Sequence, residues 1–159
     1  MKKLVILLLA LAFLCTAFAG CSIGKSSATY THDDLSIVLP ADFMDLSAED
    51  FAAELDFVYG LDPIAVNGLR ETKSTFTAYA LDIDLERYGQ LLISSNNVNA
   101  KLEQRDDILY FTYASDNFTY VVTLWETEEA FWMVQAYCPT EEYNSIKADI
   151  WDILESVTV

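Results

Sequence analysis

Few residues of the sequence are of the types that carry out nucleophilic chemistry. The chain of 159 residues has three cysteines and one histidine, His32. A cysteine or serine nucleophile needs a nearby base, and His32 lies in a small, polar stretch far along the chain from Cys138. Cys15 and Cys21 lie in the N-terminal segment, so Cys138 has no partner for an intramolecular disulfide. The sequence predicts no catalytic residue and no cofactor, and it predicts Cys138 to be a small buried side chain.

The acidic residues are the other chemical candidates. Asp82, Asp84 and Glu86 alternate, and alternating carboxylates can bind calcium, but no glycine-centred loop of twelve residues frames them. A carboxylate pair for glycoside hydrolysis needs facing positions, which sequence does not show. We expect caps, turns and solvated faces for these side chains, and therefore no metal site.

The N-terminal segment has the order typical of an export signal. Lys2 and Lys3 precede an apolar run, and small residues follow it up to Cys21, within the stretch FAGCSIGKSS. The apolar run is shorter than the roughly 20 residues that a spanning helix needs. Phe18 to Cys21 resembles the lipobox of bacterial lipoproteins, which implies cleavage after residue 20 and lipidation of Cys21. An ordinary secretory signal with an incidental cysteine is the alternative.

This segment divides the chain into three predicted parts. Residues 1–20 form the signal peptide, residues 21–33 a lipidated tether, and residues 34–159 a single globular domain. The predicted location is the extracytoplasmic face of a cell membrane, where two or three acyl chains would hold the protein durably.

Charge limits the possible partners. All 25 acidic residues follow Cys21, whereas two of the nine basic residues precede it, which leaves seven basic residues and a formal charge of −18 after the signal. A domain with this charge has no basic footprint for nucleic acid and is repelled by anionic lipid headgroups. We expect membrane contact through the lipid alone. The partner would be an envelope protein or ligand of unknown identity, and a cationic partner is one alternative.

The first half of the domain is predicted to mix strands and helices. Leu35 to Pro40 is a short apolar run that indicates a strand. A capping box at Ser47 precedes apolar residues at helical spacing, which predicts a helix over 48–59. Asn67-Gly68 is typical of a two-residue hairpin turn. A second helix is expected near residues 84–93.

Three apolar runs in the second half predict an antiparallel meander over 108–114, 118–125 and 130–138. If Asp116-Asn117 is a two-residue turn, Tyr113 opposes Tyr120; if residues 126–129 form the next loop, Trp125 opposes Ala130. Opposed residues share a face of the sheet. One face is then apolar apart from Gln135 and includes Tyr120 and Val122, which we expect to be buried beside Phe111 and Met133. The other face carries threonines together with three large aromatic residues, Tyr110, Trp125 and Trp132.

The last helix is expected to follow Thr140 as its N-cap and to carry an apolar stripe that includes Ile146, Ile150 and Leu154. A sheet that is apolar on both faces predicts an α+β fold, an antiparallel sheet with helices packed on both faces. The SIVLP opening, the meander, the long helix and the ILESVTV ending together resemble the PsbP-like family. This resemblance implies an α/β/α sandwich and, because fold does not determine function, no activity.

A non-catalytic binding or scaffolding domain is the favoured function. An exposed aromatic residue is the type that dominates binding hot spots, so Tyr110, Trp125 and Trp132 are the candidate partner-binding residues. Two alternatives stay open, a cell-envelope hydrolase that uses carboxylates and a calcium-dependent adhesion or sensing module.

Overall fold

The structure is a computed structural model that describes residues 26–46, 55–79 and 82–159. The predicted signal peptide and Cys21 lie outside these ranges. None of the helices in the described part of the chain is long and apolar enough to cross a membrane. The strands are β1 (Ser27–His32), β2 (Leu35–Pro40), β3 (Met44–Asp45), β4 (Phe57–Leu61), β5 (Ile64–Thr72), β6 (Glu103–Arg105), β7 (Ile108–Ser115), β8 (Phe118–Glu126) and β9 (Ala130–Pro139). The helices are α1 (Lys73–Ala78), α2 (Leu85–Ser95) and α3 (Tyr143–Glu155).

An antiparallel sheet of seven strands forms the centre of the fold. Its strand order is β3-β4-β5-β9-β8-β7-β6, and β1 and β2 form a separate antiparallel hairpin. The mixed α/β architecture with antiparallel pairing confirms the coarse fold class that the sequence predicts.

Two buried apolar clusters pack against the sheet. The α3 cluster joins the hairpin and α3 to the sheet through residues such as Ile37, Trp132 and Leu154. The α2 cluster joins α2 to the sheet, with Tyr88 of the helix stacked on Phe131 at 4.9 Å between ring centroids. The adjacent residues Val121 and Val122 of β8 belong to different clusters, because successive side chains of a strand point to opposite sides.

The meander is confirmed, with one correction to its register. Tyr113 pairs with Tyr120 as predicted. Trp125, however, pairs with Trp132 rather than with Ala130. The turn is centred one residue later than predicted, on Glu128 and Glu129, because the Ala130 backbone N–H donates to the Thr127 hydroxyl at 3.0 Å and the Thr127 N–H donates to the Ala130 carbonyl at 2.9 Å. Moving the turn by one residue shifts the β8–β9 pairs by two residues. Each side chain therefore stays on the face of the sheet that the sequence predicted.

The tether prediction was wrong for residues 27–32. This segment is strand β1, in register with β2 from Ser27 opposite Pro40 to His32 opposite Leu35. Tyr30 packs against Tyr59 at 4.6 Å between ring centroids, and His32 stacks on Phe57 at 4.5 Å. These contacts with strand β4, distant in sequence, order a stretch whose composition by itself is typical of a linker.

The predicted helix over 48–59 is wrong at its C-terminal end. Residues 47–54 lie outside the described residues, but Phe57–Leu61 is strand β4, paired with β5. The apolar residues at 57, 58 and 59 are all buried in this strand. A short apolar run of this kind fits a fully buried strand and a buried helix equally well by periodicity.

The hairpin prediction at Asn67-Gly68 was also wrong. Both residues lie inside the continuous strand β5, and the chain turns instead at Asp62-Pro63. Gly68 has no positive φ. Its missing side chain leaves room for the Phe57 ring, which occupies the space where a Cβ would project. The glycine therefore serves a close approach within the sheet rather than a turn.

The two longer helices match their predicted positions more closely. Asp84 caps α2 by accepting a hydrogen bond from the Arg87 N–H at 2.8 Å. The apolar stripe of α3 is confirmed, because Ile150 and Leu154 are buried. Thr140 is not the N-cap of α3, which begins after Glu142; its hydroxyl instead accepts a hydrogen bond from Thr119 of β8 at 3.1 Å.

Candidate functional site

Two amide side chains face each other in the centre of the sheet. Asn67 of β5 is directly opposite Gln135 of β9. The next pair on the same face is Leu69 opposite Met133, and the neighbour of Gln135 on β8 is Val122. A cross-strand pair of amides among apolar neighbours is costly unless its polar atoms have hydrogen-bond partners.

Asn67 has an unsatisfied polar atom. The residue is 5% exposed, and its Oδ1 is buried without a hydrogen-bond partner among the described residues. A buried acceptor left unpaired costs about 1–3 kcal/mol. None of the described residues donates a hydrogen bond to this oxygen, so it is free to accept one from a bound molecule.

Gln135 offers a donor at the same place. Its Oε1 accepts a hydrogen bond from the Tyr113 hydroxyl at 3.1 Å. Burial, aided by the nearby Tyr120, raises the pKa of the Tyr113 phenol to about 12, so that Tyr113 stays protonated and remains the donor at neutral pH. The amide NH₂ of Gln135 is therefore the part that can bind another molecule.

Both amides line a pocket of about 310 Å³, which we call the amide pocket. Tyr113 and Asn96 add two further polar groups to its wall. The apolar wall consists of Leu55, Leu69, Leu92, Val98, Phe111 and Met133. A mostly apolar cavity of this size with a few converging polar groups is typical of small-molecule sites.

A row of stacked tyrosines continues the amide pocket along the sheet face. Tyr113, Tyr120 and Tyr137 are consecutive cross-strand partners on β7, β8 and β9. The Tyr113 and Tyr120 rings are 4.6 Å apart and nearly parallel, and the Tyr120 and Tyr137 rings are 5.2 Å apart. Burial raises the pKa of all three phenols. The row, here called the tyrosine ladder, is a neutral and partly exposed aromatic surface.

The prediction that Tyr120 and Val122 are both buried is half confirmed. Val122 has no exposed surface and lies in the α2 cluster with Phe111, against which Met133 packs. Tyr120 is only partly buried. It lies near the 116–117 turn, whereas Tyr88 and Gly89, the buried residues of α2, pack beside Phe131 and Leu124 at the other end of the strands.

The predicted partner-binding residues lie in or beside the α3 cluster. Trp132 is fully buried and donates its indole N–H to Asp34 at 2.7 Å, so it is not available to a partner. The apolar character that suggested a hot spot comes from its place in the core. Tyr110 and Trp125 are partly exposed, but the Tyr110 ring packs on Trp151 at 5.0 Å and the Trp125 indole N–H donates to Thr123 at 3.0 Å.

Asp34 belongs to an ionic cluster that joins the β1–β2 hairpin to the sheet. Arg70 of β5 donates to Asp34 at 3.2 Å and lies 3.8 Å from Glu129. Burial of Asp34 raises its pKa, but hydrogen bonds from Arg70, Thr127 and Trp132 lower it more, so the carboxyl stays ionised far below neutral pH. The grouped carboxylates thus surround the Arg70 guanidinium, an arrangement that stabilises the packing of the hairpin on the sheet.

Cys138 and the described acidic residues show neither an activated thiol nor a cluster that could bind a metal. Cys138 is buried, and burial together with Glu142 raises the pKa of its thiol, which opposes thiolate formation. Within residues 26–46, 55–79 and 82–159, no three His, Cys, Asp or Glu side chains come together in a way that could hold a metal ion.

His32 provides a direct test of how the hairpin packs on the sheet. Its Nε2 lies 3.0 Å from the Tyr59 hydroxyl. Burial lowers the pKa of the imidazole, and the nearby carboxylates of Asp56, Asp45 and Asp33 offset only part of this effect. We expect NMR titration of the single histidine to give a pKa below the ordinary imidazole value of about 6.5. The pKa of His32 is lower in the folded state than in the unfolded state. The contribution of His32 to the free energy of unfolding is therefore complete above the unfolded pKa, and it is lost as the pH falls through the folded pKa.

The same titration on Tyr59→Phe is the control for this prediction. The ring remains in place, so burial and the low pKa of His32 should remain. A value at or above the ordinary imidazole pKa in the wild-type chain would contradict the packing of β1 against β4.

Comparison with known proteins rests on the fold alone. No protein-family model matches the chain, and no curated protein matches it. Among solved structures, it is similar to the solution structure of cyanobacterial PsbP (CyanoP) from Synechocystis sp. PCC 6803, with a TM-score of 0.55 over 90% of this chain and 99% of that chain. The chain has a PsbP-like fold. The sequence identity is 12%, so the similarity concerns the PsbP-like arrangement of elements and carries no site residue.

Sequence reasoning located only part of the amide pocket. It singled out Gln135 as the polar residue on an apolar face, which was the available signal. It assigned Asn67 to a turn and Tyr120 to a buried face. The amide pocket therefore emerges only when β5 pairs with β9, and the tyrosine ladder only with the observed register of β8 and β9.

Proposed function

We propose that this chain is a lipid-anchored, extracytoplasmic, non-catalytic binding domain. The lipobox-like stretch that ends at Cys21 supports the anchor, which would hold the domain at a cell membrane. Helices on both faces of the sheet are the finer arrangement that we propose for the PsbP-like fold. This arrangement is supported by strand β8, whose successive residues belong alternately to the α3 cluster and the α2 cluster.

The proposed ligand is an uncharged molecule with a flat apolar body and an N–H or O–H donor. The amide pocket would hold the apolar body, Asn67 would accept the donor, and the tyrosine ladder would stack against further rings. The observation that carries this proposal is the buried Asn67 Oδ1, which has no hydrogen-bond partner among the described residues and lies in the wall of a mostly apolar pocket. The described polar groups of the wall are amides and a phenol that stays protonated, which favours binding over acid–base chemistry.

A fluorine NMR experiment tests the ligand class. The probe is 4′-fluoroacetanilide, which has an aromatic ring and an amide N–H, and the protein is the full chain in phosphatidylcholine nanodiscs, with empty nanodiscs as the blank. We expect saturable broadening of the fluorine signal. 4-Fluorophenyl acetate has the same shape without the N–H, and its affinity should be about ten-fold lower, because a buried acceptor left unpaired costs on the order of 1.4 kcal/mol.

Two variants locate the binding site. Asn67→Leu should remove the difference between the two probes, because the acceptor is gone. Leu92→Trp should abolish binding by filling the amide pocket from α2, whereas Leu91→Trp, on the same helix outside the pocket wall, should not. Equal binding of both probes to the wild-type chain, or equal effects of the two tryptophan variants, would contradict the proposal.

A further inference from the structure

A second concave surface lies between the β1–β2 hairpin, the β4–β5 turn and α3. We call it the acidic groove; its volume is about 330 Å³. The side chains of Leu39, Phe43 and Ile153 line it and are almost fully buried. Val38 at its edge is 36% exposed. The groove is therefore apolar inside and accessible from solvent.

Three carboxylates line the same groove. Asp62 comes from the β4–β5 turn, and Asp149 and Asp152 come from α3. None of the three forms an ion pair with a described residue, whereas Glu155 of the same helix pairs with Arg105 at 2.7 Å. No Lys or Arg occurs among the described residues of the groove wall. The groove thus combines an apolar interior with three carboxylates that form no ion pair with a described residue.

We propose that the acidic groove docks a short amphipathic segment of a partner protein that carries Lys or Arg beside apolar residues. The apolar side chains of that segment would cover Val38 and the groove interior, as in other helix-in-groove complexes. Its cations would lie against the three carboxylates, whose field speeds association and rejects acidic partners.

The charge of the groove favours a protein partner over a lipid surface, although the groove would lie near the membrane. Ser27 lies at the groove, six residues after Cys21, and an extended chain of that length spans about 20 Å. This step rests on the proposed lipid anchor, which would keep the groove near the membrane. Anionic headgroups would be repelled by Asp62, Asp149 and Asp152, so a cationic protein segment is the better match.

Fluorescence anisotropy tests the proposal with a defined peptide. The probe is a fluorescein-labelled peptide with three repeats of Leu-Lys-Lys-Leu, and the protein is the full chain in phosphatidylcholine nanodiscs, with empty nanodiscs as the blank. We expect saturable binding that weakens as salt rises to about 0.3 M. A peptide with Glu in place of every Lys should not bind.

Paired variants separate the groove from overall charge. Asp149→Asn with Asp152→Asn should weaken binding about ten-fold, because two facing charges are lost. Asp106→Asn with Asp107→Asn removes the same charge from an exposed turn outside the groove and should have little effect. Val38→Ser should weaken binding, and Val159→Ser, which changes another exposed valine, should not.

Three outcomes of these measurements would each contradict the proposal. Equal losses in the two aspartate pairs would mean that binding depends on net charge alone. An unaffected Val38→Ser would mean that the apolar interior is not used. Self-association of the chain that Asp149→Asn with Asp152→Asn abolishes would make a second copy the occupant. The amide pocket plays no part in this measurement, and peptide binding would also be measurable on a chain released from the membrane. Failure of the peptide to bind is therefore distinguishable from failure of the proposed small-molecule site or of the proposed anchor.

Discussion

Val122→Asp is expected to unfold the domain or to lower its free energy of unfolding by at least about 3 kcal/mol. Val122 has no exposed surface and lies between Phe111 of β7 and Gln135 of β9. The new carboxylate would be buried in the α2 cluster without a cation. It must then remain charged in an apolar environment or take up a proton, and both cost free energy.

Urea denaturation followed by circular dichroism measures this loss. Val159→Asp is the matched control, because it makes the same change at a side chain that is 54% exposed. Its free energy of unfolding should stay within about 0.5 kcal/mol of the wild-type value. Similar midpoints for the two variants would contradict the position of Val122 in the core.

Cys21→Ala is expected to abolish retention of the protein on the membrane. The proposed anchor consists of acyl chains on this cysteine, each buried methylene contributing about 0.8 kcal/mol. Without the thiol, the chain should accumulate as unprocessed precursor or leave the membrane. The formal charge of −18 on residues 21–159 gives the domain no electrostatic attraction of its own for anionic lipid.

Metabolic labelling with an alkyne fatty acid, followed by membrane fractionation, decides this prediction. Cys15→Ala is the control and should keep both label and membrane retention, because Leu14 before it does not fit the small-residue requirement of the lipobox. Label that persists on the Cys21→Ala protein would show that the lipid is attached elsewhere.

Several features of the fold follow from local sequence patterns alone. Strict alternation in the second half of the domain predicts the meander and assigns Val121 and Val122 to opposite faces. Helical spacing predicts the buried stripe of α3. These predictions hold because a period of two or of 3.6 residues determines which side chains share a face, whatever the rest of the chain does.

Tertiary structure decided the features whose partners are distant along the chain. The stretch 27–32 becomes strand β1 because β2 pairs with it and β4 packs aromatic rings against it. Asn67-Gly68 has strong local turn propensity, yet pairing on both sides, with β4 and β9, keeps it in a strand. Local propensity is worth about 1 kcal/mol or less, and burial on both sides of a sheet outweighs it.

The candidate sites also combine features that the sequence predicts with features that only the tertiary structure decides. The sequence indicated that Gln135 is the polar residue on an apolar face, because alternation assigns each side chain to a face. It did not reveal that Asn67 lies opposite, nor that Asp62 meets Asp149 and Asp152 across the acidic groove, because those residues are far apart in the chain. Periodicity is a local property of the chain, whereas a site is formed where elements distant in sequence pack together, and only the packed fold determines which side chains meet there.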